Sequence, residues 1–127
     1  MASELRSKVL ESDDIEEEII TIPQWGIDLL VKGMSGSDRA KFLKRSSTAG
    51  EVDLERFYPE LVIATCFDPE DPEHKVFEPA DRDALGKKSG AALELVATLA
   101  LRLSGMGPKS IDTVVESLSE APSEGST

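Results

Sequence analysis

The stretch Ile19-Ile20-Thr21-Ile22-Pro23-Gln24-Trp25-Gly26-Ile27-Asp28-Leu29-Leu30-Val31-Lys32 decides the fold. Its first four residues are β-branched, Pro23 to Gly26 supply turn chemistry, and the alternation that follows puts Ile27, Leu29 and Val31 on one face. These features predict a β-hairpin over 18–32. Two strands are marginal in water by themselves, so this apolar face, with Trp25 at its end, must be covered by helices or extended by another chain.

Upstream, Leu5, Val9 and Leu10 stand among polar residues after a Ser3 cap, which allows about two turns of amphipathic helix in an arm of residues 1–14, too short to be stable alone. The acids Glu11, Asp13, Asp14, Glu16, Glu17 and Glu18 repel one another and keep the following segment hydrated. Downstream, the hydroxyls and the acid of Ser35-Gly36-Ser37-Asp38 suit a helix start, which predicts a helix over 35–46. Ser46 to Gly50 is a loop by composition. Val52, Phe57, Leu61 and Ala64 predict a helix over 51–67, in which Pro59 either restarts the helix or kinks it, one kinked unit being the expectation.

The prolines and acids of Asp68 to Pro79 predict an exposed, stiff connector tethered by Phe77. The longest helix is expected over 80–104, ending at Gly105 with Pro108 beyond, and a last one over 109–118 with Ile111, Val114, Val115 and Leu118 on one face. Residues 121–127 read as a disordered tail. The expectation is one domain over 15–120, α+β and mainly α-helical, with an N-terminal β-hairpin followed by a small bundle of about four helices.

Composition bounds the function. A chain of 127 residues has room for one core, and 39% hydrophobic with 31% charged residues excludes a wholly disordered or collagen-like chain. Against 14 Lys+Arg stand 25 Asp+Glu, a net charge of −11, so neither nucleic acid nor an anionic membrane is an expected partner. A single cysteine, Cys66, and a single histidine, His74, leave no internal disulfide and no zinc cluster. Ala91 to Leu103, interrupted by Glu94 and Arg102, falls short of the roughly 20 apolar residues of a membrane span. The opening Met-Ala-Ser-Glu-Leu-Arg lacks the pattern of a secretory signal, which points to a cytosol.

No constellation carries catalysis. Gly86-Lys87-Lys88-Ser89 resembles the end of a phosphate loop, but the upstream glycine is missing, Lys88 stands where a hydroxyl must follow Lys87, and the segment reads as helix interior. Counted from Asp68, a calcium loop would need glycine where Glu73 stands and glutamate where Pro79 stands. Nothing activates Cys66 or orients His74. The chain is expected to be no enzyme, with no cofactor and no metal.

What remains is the apolar helix. Glu94, Thr98 and Arg102 form one narrow stripe, and the other roughly 250° is alanine, leucine and valine. The plain reading is a central core helix. The sharper one leaves part of Leu95, Leu99, Leu101 and Leu103 uncovered for a second copy or a hydrophobic client, because the other helices offer few large side chains beyond Phe42, Leu43, Phe57, Leu61 and Ile63.

Several segments in order resemble the tail assembly chaperones of long-tailed bacteriophages, the siphoviruses, and of prophages. They are Asp13-Asp14-Ile15, Ile22-Pro23-Gln24-Trp25-Gly26, Val31-Lys32-Gly33-Met34-Ser35-Gly36-Ser37-Asp38-Arg39 with Phe42, Leu61-Val62 with Cys66 and Asp68, Asp83-Ala84-Leu85-Gly86-Lys87-Lys88-Ser89, and Leu103-Ser104-Gly105-Met106. Within them Pro23, Trp25, Gly26, Arg39, Phe42, Lys88, Ser104 and Gly105 carry the likeness, whereas Gln24 stands where the family commonly has an acid. The resemblance implies a non-enzymatic protein that coats the tape measure protein, is displaced by the tail tube protein, self-associates, works in the host bacterial cytoplasm and is absent from the mature virion. It also implies short and frameshift-extended forms. The alternative, an acidic inhibitor that imitates nucleic acid, requires acids along one rigid face, whereas here they concentrate in 11–18 and 68–83.

Overall fold

A computed structural model describes residues 2–106. The final helix expected over 109–118 and the tail over 121–127 lie outside the described residues. The chain opens with helix α1 (Ala2–Glu11), then strands β1 (Glu17–Ile22) and β2 (Ile27–Lys32). Helix α2 (Gly36–Arg45), the short strands β3 (Ser47–Thr48) and β4 (Glu51–Val52), and helix α3 (Leu54–Thr65) follow. Strands β5 (Cys66–Asp68) and β6 (Asp71–Lys75), a 3-10 turn (Pro79–Asp81), α4 (Arg82–Gly86) and α5 (Gly90–Leu103) complete the fold.

Strands β1 and β2 pair antiparallel from Glu17↔Lys32 to Ile22↔Ile27, around a turn in which Gly26 (φ 63°) donates its N–H to the Ile22 carbonyl at 2.8 Å. They do not stand at the head of a helical bundle. They form half of an antiparallel sheet of order β1-β2-β5-β6, and this sheet is one wall of the core. Cross-strand partners share a face, so Ile20 and Leu29 point to the same side as Val31, towards α5, which packs against β1, β2 and α3. Ile19, Leu30 and Phe67 share the opposite face, where Lys32 lies 4.4 Å over the Phe67 ring and 4.0 Å from Glu17. Leu29, Val31, Phe42, Phe57, Leu61, Val96 and Leu101 are packed into one core, and Phe42 meets Phe57 edge to face at 5.3 Å.

Several boundaries differ from the sequence expectation. The helix expected over 51–67 is shorter at both ends. Its first residues pair as β4 with β3 around a turn with Ala49 at φ 55° and Gly50 at φ 82°, and Asp53 then caps α3 by accepting the Glu55 N–H at 3.0 Å. At its far end Cys66 turns extended to pair with Val31. Pro59 lies inside this one helix, buried beside Gly86.

Within the connector expected over 68–79, Asp71–Lys75 form a strand, exposed along its length. Asp68 accepts the Glu70 N–H at 2.9 Å, which turns the chain, and β6 pairs with β5 as the outer strand, where Pro72 is tolerated because its side of the ladder is open. Phe77 packs half-buried on the core. The helix expected over 80–104 is broken between α4 and α5, because Ser89 is a second N-cap that accepts the Ala92 N–H at 3.2 Å. Gly86 ends α4, and Lys87 to Ser89 form a turn rather than helix interior. Its N–H groups are nevertheless engaged, Lys87 to the Ala84 carbonyl and Lys88 to that of Leu85.

Candidate partner-binding surface

Helix α5 is enclosed on more sides than its neighbouring helices alone would allow. Ala92, Leu93, Val96, Ala97, Leu99, Ala100 and Leu101 are buried. Of the four leucines expected at a partner surface, Leu99 and Leu101 are 4% and 1% exposed, and Leu103 is half-buried against the core. Only Leu95, 41% exposed, offers substantial surface. The correction has a physical reason: the sheet, through Ile22, Leu29 and Val31, covers what α2 and α3 cannot reach.

Leu95 does not stand on an isolated patch. The stripe of Glu94, Thr98 and Arg102 shares its side of α5, and together with Glu18, Ile20 and Gln24 of the β1 hairpin they bound an open groove of about 530 Å³. Ile20, Leu95, Ala91 and the edge of Leu99 make an apolar floor. Glu18 lies on the strand side and Glu94 on the helix side, and an Arg102 Nη2–Glu18 Oε1 ion pair of 3.3 Å ties the two walls together. Ile20 and Glu18 were not singled out from the sequence. The parity that aims them at α5 follows from the Ile20↔Leu29 and Glu18↔Val31 register.

The resemblance residues fall into separate places. Pro23, Trp25 and Gly26 form the hairpin turn, with Trp25 half-buried on the core. Phe42 is inside the core, and Lys88 is exposed in the turn between α4 and α5. Arg39, Ser104 and Gly105 are brought together, although Arg39 and Ser104 are 65 residues apart. Arg39 Nη2 donates to the Ser104 carbonyl, and Ser104 Oγ accepts the Met34 N–H at 2.9 Å while donating to the Ala100 carbonyl at 2.6 Å. Gly105 (φ 77°) and Met106 end α5 with N–H bonds to the Arg102 and Leu101 carbonyls, a paired C-terminal cap in which Met106 also packs on the core. Gly33 lies so close to α5 that an added Cβ would sit 2.9 Å from the Leu103 carbonyl carbon and closer still to its oxygen. This junction fixes the C-terminal end of the groove.

The groups weighed for catalysis stand on the paired strands β5 and β6 but differ in exposure. Cys66 is buried, and burial pushes its thiol from 9.0 up to about 12 against a small lowering by the hydrogen bond to Thr65, so it is an unreactive thiol at neutral pH. His74 is exposed on β6. Among the described residues no group of three or more His, Cys, Asp or Glu side chains is placed to hold a metal ion, and no helix is long and apolar enough to cross a membrane.

Sheet, helices and groove define an α+β domain in which α5 and α3 pack on a short antiparallel sheet and α2 and α4 pack on α3. Among solved structures, this architecture is similar to that of the bacteriophage HK97 tail assembly chaperone, with a TM-score of 0.57 and 16% sequence identity over 81% of this chain and 95% of that one. The chain shares the fold of that protein. No family model matches the sequence, and no curated protein matches it.

Proposed function

We propose that this chain is a non-enzymatic phage tail assembly chaperone that coats the apolar helices of a tape measure protein during tail morphogenesis. The fold shared with nearly the whole length of the HK97 chaperone carries this reading. The β1–α5 groove supports it by offering an apolar floor of helix-contacting size between charged rims. A client helix laid there would cover Leu95 and Ile20 while its polar flanks meet Glu18, Glu94 and Arg102. The exposed part of one leucine is worth about 1 kcal/mol when covered. Each grip is thus weak, and a rod is held by many copies acting together, which leaves every copy open to displacement by the tail tube protein. A net charge of −11 keeps such a coat from aggregating. The chain acts in the host bacterial cytoplasm and is left out of the finished virion.

Co-expression with the tape measure protein tests the proposal. The wild-type chain should bring an otherwise insoluble rod into the supernatant as a complex, and Leu95→Glu should lose that ability without losing its own fold. A rod that stays insoluble beside the wild-type chain refutes the assignment.

A further inference from the structure

We infer that α1 is a clasp between molecules, docking in the β1–α5 groove of a second copy of this chain. Among the described residues nothing covers its apolar side chains: Leu5, Val9 and Leu10 are 66%, 68% and 65% exposed. A helix this short is marginal in water without a surface to lie on. At 1.5 Å per residue the ten residues of α1 span about 15 Å, and the groove wall from Ala91 to Arg102 spans about 16 Å.

Charge matches as well as length. Leu5 and Val9 lie one turn apart on a single face, with Lys8 to one side of that stripe and Arg6 to the other. The groove presents Glu94 on its helix wall and, on its strand wall, Glu18 shared with Arg102. Elsewhere the strongly acidic surface opposes the approach of another copy, whereas in α1 Arg6 and Lys8 balance Glu4 and Glu11.

The exposed position of α1, outside its own groove, selects a second copy over the same one. The Glu16 carbonyl accepts the Gly33 N–H at 2.8 Å, and Asp13 and Ile15 lie with Lys32 and Phe67, side chains of the sheet face turned away from α5. Asp14, Ile15 and Glu16 also border Arg102 to Gly105 at the end of α5, yet among the described residues none of α1 lines the groove of its own molecule. Because a client helix is proposed for the same groove, the clasp rests on that reading for its role: α1 occupies the groove until a client replaces it.

The test is the mass of the full chain alone, by light scattering and sedimentation, with no client present. The wild-type chain should be heavier than a single 13.7 kDa copy. Leu5→Glu with Val9→Glu, and separately Leu95→Glu, should weaken association about tenfold or more with the thermal midpoint of the core unchanged. Lys8→Glu should weaken it, and Glu94→Lys in the same chain should restore it. A wild-type mass of one copy at all concentrations, or association untouched by the α1 pair, overturns the inference, as does a monomer in which α1 is protected from hydrogen exchange by its own groove. The α1 pair should still solubilise the client, so clasp and chaperone activity fail independently.

Discussion

Replacing Gly33 with alanine should loosen the junction that closes the fold. The added methyl meets the backbone carbonyl of Leu103, which no side-chain rotation can move aside. Overpacking of this kind costs about 1 to 3 kcal/mol. Relief requires the β2–α2 loop to withdraw from α5, which strains the Met34 N–H bond to Ser104 Oγ, a buried bond whose loss adds about 1 kcal/mol or more. The sum is about 2 to 4 kcal/mol, or a fall in thermal midpoint on the order of 8 to 16 °C for a domain of this size. Gly36→Ala is the control, because the same methyl at the first residue of α2 meets nothing within 4 Å. Thermal and urea unfolding followed by circular dichroism read both variants. The reasoning fails if Gly33→Ala melts within about 0.5 kcal/mol of Gly36→Ala.

Other outcomes follow from the same geometry. Ser104→Ala leaves the Met34 N–H without its acceptor and should cost about 1 to 3 kcal/mol in urea unfolding. Leu101→Ala, in the core, should cost about 2 to 5 kcal/mol, whereas Leu95→Glu, on the groove floor, should change stability by less than about 1 kcal/mol; equal costs would mean the two faces of α5 are misplaced. Cys66 should resist a thiol reagent at pH 8 in the folded chain and react at once in urea. Because its thiol is raised from 9.0 to about 12, the unfolded state alone loses the proton as pH climbs past 9.0, so this group lowers stability progressively between about 9 and 12. A Cys66→Ala variant should show a flatter decline over that window.

Local chemistry made some elements legible. Ser35 accepts the Asp38 N–H at 3.0 Å at the start of α2, as its hydroxyl and the acid suggest, and the β-branched run before Pro23 is a strand. The sheet's outer half was hidden, because Asp71-Pro72-Glu73 has the composition of a connector and becomes a strand only through pairing with distant residues. The break before α5 was hidden because Ser89 serves equally as a helix residue or a cap, and periodicity runs across it. In the candidate site, the exposure of Leu95 was readable from its place beside Glu94 and Thr98, but the burial of Leu101 depends on a sheet whose extent the sequence does not announce. Ile20 sits beside Ile19 in the β-branched run Ile19-Ile20-Thr21-Ile22, and two adjacent isoleucines carry no parity to say which of them points inward. Arg39 and Ser104 have no local signal for meeting at all.

That meeting also sets a schedule for synthesis. Met34 finds its acceptor 70 positions later, and the sheet receives its cover only when α5 arrives, so most of the chain must leave the ribosome before any core can close. Until then the growing polypeptide carries Leu29, Val31 and Phe42 with nothing to hide them, protected from its neighbours on a polysome mainly by the mutual repulsion of the acids translated beside them. A protein proposed to shield greasy helices thus spends its own first moments unshielded.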